Sequence, residues 1–581
     1  MNTFLTNIKS YLVRIWQGLR LVPNVRRNQI PLVLDSFTKK DFYLISAFIL
    51  IFIAAGGFLI FNYTNSGQGT EPDFGGEIIE GLVGQPQFIN PILSPASGVD
   101  TDISRVIYAQ LLKFDDKLNL VPDLAEALPE ISEDQKVYTL KLKQNLKWHD
   151  GKPIQADDIV FTVETIQNID FESPLRANWS RVKVEKKDDQ TVTFTLREIS
   201  ASFITNFTLQ LVPKHIWENL SPTSFRLHNS NLSPVGSGPY MFREIKKTSD
   251  GTIRSLSLKA NDTYHEGRPY IDRVTFKFYD DYDSLINAFQ GKEVSSMGYL
   301  PFDRKSLDNN NKFQQHKFSL PQYQAVFFNL PKSPVLADKA VRQALWLSTD
   351  RQAIIDEVYL GYAKPAYGPI LDGNLGYSPE VSTKTHTSLV EAADLLDKAG
   401  WVLDPTTNVR KKGNRNLEFS LATNNFVVNV KTAQILQSAW QQIGATVNLV
   451  IVSPQELQQD YIRSRNFDAL LFFENTGPDP DPYPFWHSSQ ARDPGLNLSG
   501  FSNPDADKLL TSARQTTDVN IRTQSYEQFQ NIIMNEIPAV FLNNVIYVYN
   551  TPHDLHGIGM ETIIHPSERF LNIDKWYLET K

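Results

Sequence analysis

Catalysis would require a nucleophile with its base or a cluster of metal ligands, and the side chains that could supply them are scattered along this 581-residue chain. The ten histidines include no His-Glu-x-x-His pair. Their only close spacing is His553-x-x-His556, in a loop-like segment where solvated or capping histidines are the commoner case. Ser237 stands between two glycines and before a proline, unlike the Gly-x-Ser-x-Gly elbow of hydrolases. We therefore predict no enzyme activity, no catalytic residue, no metal and no cofactor.

Cysteine is absent, which excludes a disulfide scaffold, a thiol nucleophile and a cysteine-linked lipid anchor. The net charge of −8 is unevenly distributed along the chain. Residues 1–41 carry seven basic and two acidic side chains, a balance of +5, and the remainder carries 50 basic and 63 acidic side chains, a balance of −13. A nucleic-acid partner would require a basic surface, so the acidic main part argues against one.

Residues 42–61 form a run of 20 residues without a charged side chain. At about 1.5 Å per residue, a helix of this length matches the roughly 30 Å hydrocarbon core of a bilayer. The basic segment precedes the run, so the positive-inside rule puts the N-terminus in the cytoplasm and the rest outside. The run is too long for a typical signal-peptide core, and no Ala-x-Ala pattern follows it directly. We predict a cytoplasmic tail (1–41), an uncleaved signal-anchor helix (42–62) that holds the protein in the cell membrane, and a linker (63–75).

The part that follows the linker alternates between strand and helix patterns. Residues 138–142 and 192–196 alternate apolar and polar side chains, as half-buried strands do. Helices are predicted over 339–358, 390–399 and 430–443, because apolar residues recur at helical spacing and glycines follow the last two as C-caps. The Pro/Asp-rich stretch 477–484 can be neither a helix nor a central strand, because residues before proline are driven towards extended conformations.

One string of motifs resembles a known family. Residues Leu146–Pro153 (LKWHDGKP), continued by Ala156–Thr162 (ADDIVFT), are close to the signature of the peptide/nickel-type extracellular solute-binding proteins, which serve ABC importers. The resemblance covers about residues 76–575. Supporting matches, in the family's order, lie at 236–240, 328–329, 341–351, 361–369, 399–401 and 497–507.

The resemblance implies an α/β, two-lobed periplasmic-binding-protein-like fold of the large peptide-binding type, here preceded by one N-terminal transmembrane helix. Lobe I would comprise residues 76–325 plus 546–581, and lobe II residues 326–545. Two chain crossings, near 321–330 and 541–550, would form a hinge. A ligand that contacts both lobes would shift the equilibrium towards the closed state.

The function implied by the resemblance is that of a membrane-anchored, monomeric receptor that binds oligopeptides outside the cell membrane and delivers them to ABC permease subunits. Two alternatives stay open. The same fold could bind a non-peptide solute, such as a sugar, a metal chelate or a signal compound, or it could act as a sensor without a permease. An anchored hydrolase has no catalytic constellation to support it.

The resemblance also indicates where a ligand would bind. Peptide binders of this family neutralise the peptide ammonium with an aspartate in an Asp-x-x-Asp-Pro pattern. Here Asp481-Pro482 matches the Asp-Pro part, and Pro478 takes the place of the amine-binding aspartate, so Asp479 is the expected substitute. Matching positions predict further ligand contacts from Gly84, Gln85, Pro86, Gly238, Tyr240, Tyr323, Asn329, Asn475, Asp481, Tyr483 and Trp486. The signature residues 148–151, by contrast, are predicted to form a packed hairpin turn.

Overall fold

The computed structural model describes residues 72–299, 307, 313–383 and 386–579, with a few separate positions between 38 and 56. The chain divides into two compact units, residues 1–71 and residues 72–581, and the fold given below is that of the second unit. Within the described residues, no helix combines the length and the apolar character needed to cross a membrane. The predicted anchor over 42–62 lies largely outside the described residues and stays a prediction.

The described strands are numbered in chain order. They are β1 (Glu77–Val83), β2 (Leu112–Phe114), β3 (Leu120–Pro122), β4 (Glu130–Ile131), β5 (Val137–Lys141), β6 (Val182–Lys186), β7 (Thr191–Leu196), β8 (Tyr240–Lys247), β9 (Ile253–Ala260), β10 (Arg273–Tyr279), β11 (Ser296–Tyr299), β12 (Gln314–Ser319), β13 (Gln322–Phe328), β14 (Ala363–Pro365), β15 (Val402–Leu403), β16 (Arg410–Lys412), β17 (Arg415–Asn416), β18 (Glu418–Asn424), β19 (Thr446–Val452), β20 (Ala469–Asn475), β21 (Ala539–Thr551), β22 (Leu555–His556) and β23 (Tyr577–Leu578).

The described α-helices lie between these strands. They are Gly98–Ile107, Ala156–Gln167, Arg176–Trp179, Lys214–Trp217, Pro222–Leu227, Tyr282–Gln290, Lys339–Leu347, Arg351–Val358, Glu380–Thr383, Leu389–Lys398, Val427–Gln442, Pro454–Glu456, Tyr483–Trp486, Pro504–Arg514 and Val519–Glu536.

A twelve-stranded mixed sheet is the main sheet of this unit, in the order β19-β18-β20-β13-β21-β11-β1-β10-β9-β8, with β12 and β14 also paired to β21. Strand β21 pairs with β13 through its first half and with β11 and β12 through its second half. All of its residues except Ile546 are buried. Its apolar runs, 539–542 and 545–549, are typical of a strand covered on both faces.

Two sets of hydrophobic cores lie along this sheet. The first core draws its buried residues from 78–320 and 547–576, and two adjoining cores draw theirs from 323–545. A smaller four-stranded sheet, in the order β4-β5-β7-β6, contributes to the first core. The chain therefore passes between the cores twice, through β13 and through β21. The lobe boundaries predicted from the sequence stay a prediction.

The signature segment is packed into the first core. Trp148 is 1% exposed, and its indole N–H donates to Asp158 Oδ2 at 3.4 Å. Asp158 also accepts from the backbone N–H of Gln155 at 2.9 Å, which closes a capping box on the helix Ala156–Gln167. Gly151 has φ +86°, a conformation that suits the turn between Trp148 and Lys152. The signature residues therefore hold a turn and a helix start together.

Most of the predicted helices are present, with one difference. Gly400 and Gly444 follow the helices Leu389–Lys398 and Val427–Gln442 and have φ values of +82° and +85°, as glycines after a helix end do. The single helix predicted over 339–358 is instead two helices. The Ser348 hydroxyl donates to Ala344 O at 2.8 Å at the end of the first helix. Asp350 caps the second helix by accepting from Ala353 N–H at 3.0 Å.

Candidate ligand-binding cleft

A cavity of about 700 Å³ lies between two segments of the chain, and this volume is within the range of small-ligand sites. The first wall is drawn from residues 177–206: the end of a short helix, the start of β6, the end of β7 and the 3₁₀ turn that follows. The second wall comprises residues 475–515: the loop after β20, the helix Tyr483–Trp486 and the end of the helix Pro504–Arg514. The first wall is part of the chain that builds the first core, and the second wall belongs to the other cores.

Hydrogen bonds hold the start of the loop after β20 in the second wall. Thr476 donates to Pro321 O through its backbone N–H, at 2.8 Å, and through its hydroxyl, at 3.0 Å. Asn475 Oδ1 accepts from Gly477 N–H at 2.9 Å, and Gly477 has φ +69°. These bonds attach the loop to the start of β13, where the chain passes from the first core to the others.

Asp479 faces a cation of its own protein. Its Oδ1 lies 2.5 Å from Arg522 Nη2, and the side chains are only 11% and 9% exposed. Arg522 also donates to the Tyr526 hydroxyl at 3.1 Å. Burial opposes the charge of Arg522, but the adjacent carboxylate outweighs this effect and raises the pKa of the guanidinium. The carboxylate predicted to bind a peptide amine is therefore already neutralised by an internal arginine.

Asp481 is paired as well, although more loosely. Its Oδ2 lies 3.4 Å from Arg514 Nε, and its Oδ1 accepts from Tyr483 N–H at 3.1 Å. Burial raises the pKa of Asp481, and Arg514 opposes that shift. The Arg514 guanidinium stands 4.5 Å from the centroid of the Tyr483 ring, which stacks on His487. The two aspartates that line the cavity from this wall thus have arginine partners.

The first wall is different, because its arginines have no such partners. Arg181 and Arg197 are exposed, and no acidic side chain of the described residues lies within ion-pair distance of either. Val182, the first residue of β6, pairs with Leu196, the last residue of β7, and this is the terminal pair of the ladder. Arg181 and Arg197 lie directly beyond this pair, so their backbones are close to each other. Further polar residues of this wall are Asn178, Glu198, Ser200, Ser202, Thr205 and Asn206.

Of the twelve positions predicted to contact a ligand, four line this cavity: Asn475, Asp479, Asp481 and Tyr483. Three others are buried behind the second wall. The Tyr323 hydroxyl donates to Glu474, and Asn329 donates to Arg465 O at 2.9 Å and to Phe467 O at 3.0 Å. Trp486 is 1% exposed and packs between Phe327 and Phe541.

The remaining five predicted positions lie in the part of the chain that builds the first core, away from this cavity. Gly84 donates its N–H to Tyr279 O at 2.8 Å, Gln85 accepts from Ile253 N–H at 3.1 Å, and Pro86 is buried. Gly238 and Tyr240 are also buried. A Cβ on Gly238 would come within 2.7 Å of the Ile107 backbone, and the Tyr240 hydroxyl donates to Ile271 O at 3.0 Å. These contacts connect elements of the fold.

Glu474 is a further carboxyl group behind the second wall, and sequence reasoning missed it. It is fully buried at the end of β20, accepts from the Tyr323 hydroxyl, and has no partner for Oε2 within the described residues. Burial raises its pKa to about 8, against the effect of the tyrosine hydroxyl. This carboxyl is therefore mainly protonated at neutral pH.

Sequence reasoning also missed Arg181, Arg197, Arg514 and Arg522. None of them belongs to a recognisable motif, and the partners of Arg514 and Arg522 are 33 and 43 positions away in the chain. Their positions become apparent only when the chain is folded.

One group of possible metal ligands occurs in the described residues, outside the cleft. Asp123, His265 and Glu266 present ligand atoms within 4.8 Å of one another. His265 lies 2.8 Å from Asp123, and Lys113 lies 2.5 Å from Glu266. The lysine ammonium supplies the positive charge that these carboxylates require, so the group is explained as an ion-pair cluster.

A mixed sheet shared by two sets of cores, with a cavity between polar walls from each, defines a two-lobed α/β binding protein. The comparison with family models gives the particular family: residues 119–495 match the model described as "Bacterial extracellular solute-binding proteins, family 5 Middle". The chain belongs to this family of extracytoplasmic substrate-binding proteins. The resemblance drawn from residues 146–162 is thereby confirmed.

Similar proteins include several with solved structures. The oligopeptide-binding protein AppA of Bacillus subtilis is 31% identical over 87% of this chain and 92% of its own, and its structure with a nonapeptide matches 88% of this chain and 100% of the AppA chain with a TM-score of 0.66. The ABC transporter substrate-binding protein CtaP of Listeria monocytogenes (30% identity, 87% and 100% coverage) has a TM-score of 0.74. NikZ of Campylobacter jejuni, solved with Ni(L-His), is 26% identical over 86% of this chain and 99% of its own, with a TM-score of 0.67.

Proposed function

We propose that this protein is a membrane-anchored receptor of an ABC importer that binds oligopeptides in the cleft between its lobes and delivers them to the permease. The observation that carries the proposal is the cavity between the two walls in a chain that is similar to AppA over nearly its full length. Lobe I would comprise residues 76–325 and 546–581, and lobe II residues 326–545. The hydrophobic run 42–62 would hold the receptor at the membrane, since the chain has no cysteine for a lipid anchor.

Ligand binding would draw the two walls together. Each wall offers hydrogen-bonding side chains to the cavity, and a ligand that contacts both gains its full set of contacts only when the walls approach each other. Asn475 and Tyr483 would contact the ligand from lobe II. Asp479 would contact a peptide amine only by exchanging its partner Arg522 for the ligand.

The proposal is tested with the full-length chain in detergent. Native mass spectrometry should detect nonapeptides from a synthetic pool bound one to one, and the anchored receptor should retain its permease in a pull-down from membranes.

N-terminal sequencing of the native protein should begin at or near Met1 if the anchor is uncleaved, whereas a start after residue 60 would contradict it. Failure to bind any peptide pool would contradict oligopeptide binding.

A second candidate function is binding of a non-peptide solute by the same cleft. The observation that favours it is the engagement of Asp479 and Asp481 by arginines, because these are the carboxylates among the described residues that line the cavity from the second wall and neither is free for a peptide amine. NikZ, which is 26% identical to this chain, was solved with Ni(L-His). Native mass spectrometry of the receptor as purified from its own cells distinguishes the candidates, because the mass of a co-purified ligand identifies its class.

A further inference from the structure

The two arginines of the first wall are in an unusual setting. Arg181 and Arg197 lie directly beyond Val182 and Leu196, the terminal pair of β6 and β7, and like charges this close together repel each other. Both side chains line the cleft cavity, and neither has an acidic partner within the described residues. Glu198, beside Arg197, also lines the cavity, so this wall carries one uncompensated positive charge.

The second wall does not supply that compensation. The two carboxylates with which it lines the cavity, Asp479 and Asp481, already have Arg522 and Arg514 as partners at 2.5 and 3.4 Å. When the walls approach each other, the positive charge of the first wall therefore meets a surface whose negative charges are already neutralised. A ligand that brings its own negative charge would complete this arrangement.

We propose that Arg181 and Arg197 form a carboxylate-binding subsite of the cleft and thereby fix the orientation of the bound ligand. The inference rests on the proposed function, since the carboxylate would be that of a peptide. A guanidinium presents parallel N–H donors that match the two oxygens of a carboxylate. Asn178 and Asn206 line the cavity from the same wall and offer amide groups to the same ligand. The carboxylate would be the peptide C-terminus or an acidic side chain, which share this chemistry.

The test uses the full-length receptor and three acetylated nonapeptide pools. The first pool has a free C-terminal carboxylate and no Asp or Glu, the second is its C-terminal amide, and the third is the amide with one central Glu. Fluorescence anisotropy gives the dissociation constant of each pool for the receptor and for the double variant Arg181→Ala/Arg197→Ala. Arg181→Lys/Arg197→Lys keeps the charges and removes the guanidinium geometry. Lys183→Ala is the matched control, because Lys183 is an exposed cation on β6, two positions from Arg181, and does not line the cleft.

We expect the unmodified receptor to bind one of the two carboxylate-bearing pools about tenfold more tightly than the plain amide pool. Preference for the first pool identifies the C-terminus, and preference for the third identifies an acidic side chain. The double alanine variant should lose this preference, the double lysine variant should keep part of it, and Lys183→Ala should keep all of it.

Two results would overturn the subsite. One is equal binding of all three pools by the receptor, and the other is an unchanged preference in the double alanine variant. The proposed function fails in a different way, since a receptor that binds no peptide from any pool contradicts oligopeptide binding itself, and the subsite with it. Thermal unfolding of each variant verifies its fold, which exposed positions such as these should leave intact.

Discussion

The two walls of the cleft carry similar side chains in different electrostatic states. On the second wall, Asp479 and Asp481 are largely buried and paired with Arg522 and Arg514. On the first wall, the arginines are exposed, lie directly beyond the terminal pair of β6 and β7, and have no acidic partner in the described residues. Charges that are paired inside the protein hold a loop in place, whereas unpaired charges on a cavity are available to a ligand. The predictions below test this division.

The largest effect is expected from Arg522→Ala. Removal of one partner from a buried ion pair leaves the other charge uncompensated, so the free energy of unfolding should fall by about 3 kcal/mol. Urea denaturation measures this change. Arg492→Ala is the matched control, because Arg492 is exposed beside the same wall and should change stability by about 0.5 kcal/mol or less. Equal effects of the two substitutions would show that Arg522 does not hold the loop.

The next effect is expected from Glu474, a buried carboxyl with no cationic partner among the described residues. Because the pKa of Glu474 is raised from 4.5 to about 8, the folded state keeps a proton between these pH values that the unfolded chain releases. Stability from this group is therefore fully present below pH 4.5 and is lost as pH rises through 8. The loss between pH 6 and 8 should be about 2 kcal/mol.

Glu474→Gln tests this directly, since the amide has the same shape and does not titrate. Urea denaturation at several pH values should show a smaller decline in stability between pH 6 and 8 than in the unmodified receptor. Glu456→Gln, at an exposed position of the same lobe, should leave the pH dependence unchanged. A steep decline that persists in Glu474→Gln would assign it to other groups.

Arg522 and Glu474 also show what could and could not be predicted from the sequence. The segment 146–162 identifies the family and its fold, because its turn and capping signals act locally and are legible in a short string. The Asp/Pro stretch is irregular over residues 477–482, as predicted, but the prediction is wrong for Tyr483 and Pro484, which begin the helix Tyr483–Trp486 because proline is tolerated in the first turn of a helix. Arg522, however, lies 43 positions from Asp479, and Glu474 differs from an exposed glutamate only through its burial. Such long-range contacts have no spacing pattern.

Asp479→Asn should have a smaller effect on binding, and an unselective one. Because the carboxylate is already paired with Arg522, its loss should change the affinities for free-amine and acetylated nonapeptides by factors that agree within about twofold. Isothermal calorimetry with both peptides measures this, and Asp505→Asn, at an exposed helix start, is the control. A selective loss for the free-amine peptide would instead indicate that Asp479 exchanges Arg522 for the ligand amine.

The smallest effect on stability is expected on the first wall, and its sign is informative. Arg181→Ala removes one of two like charges that lie directly beyond the terminal pair of β6 and β7, so the free energy of unfolding should change by no more than about 0.5 kcal/mol and should rise rather than fall. The rise should shrink as salt is added, because exposed charges are screened within a Debye length of about 10 Å at 0.1 M. Urea denaturation at 0.05 and 0.5 M NaCl measures both. A loss of more than about 1 kcal/mol would mean that Arg181 serves the fold, as Arg522 does. If Arg181→Ala instead binds peptide more weakly while its stability is unchanged or higher, Arg181 serves the ligand and not the fold. This result would distinguish the first wall from the second, where Arg522 stabilises the loop.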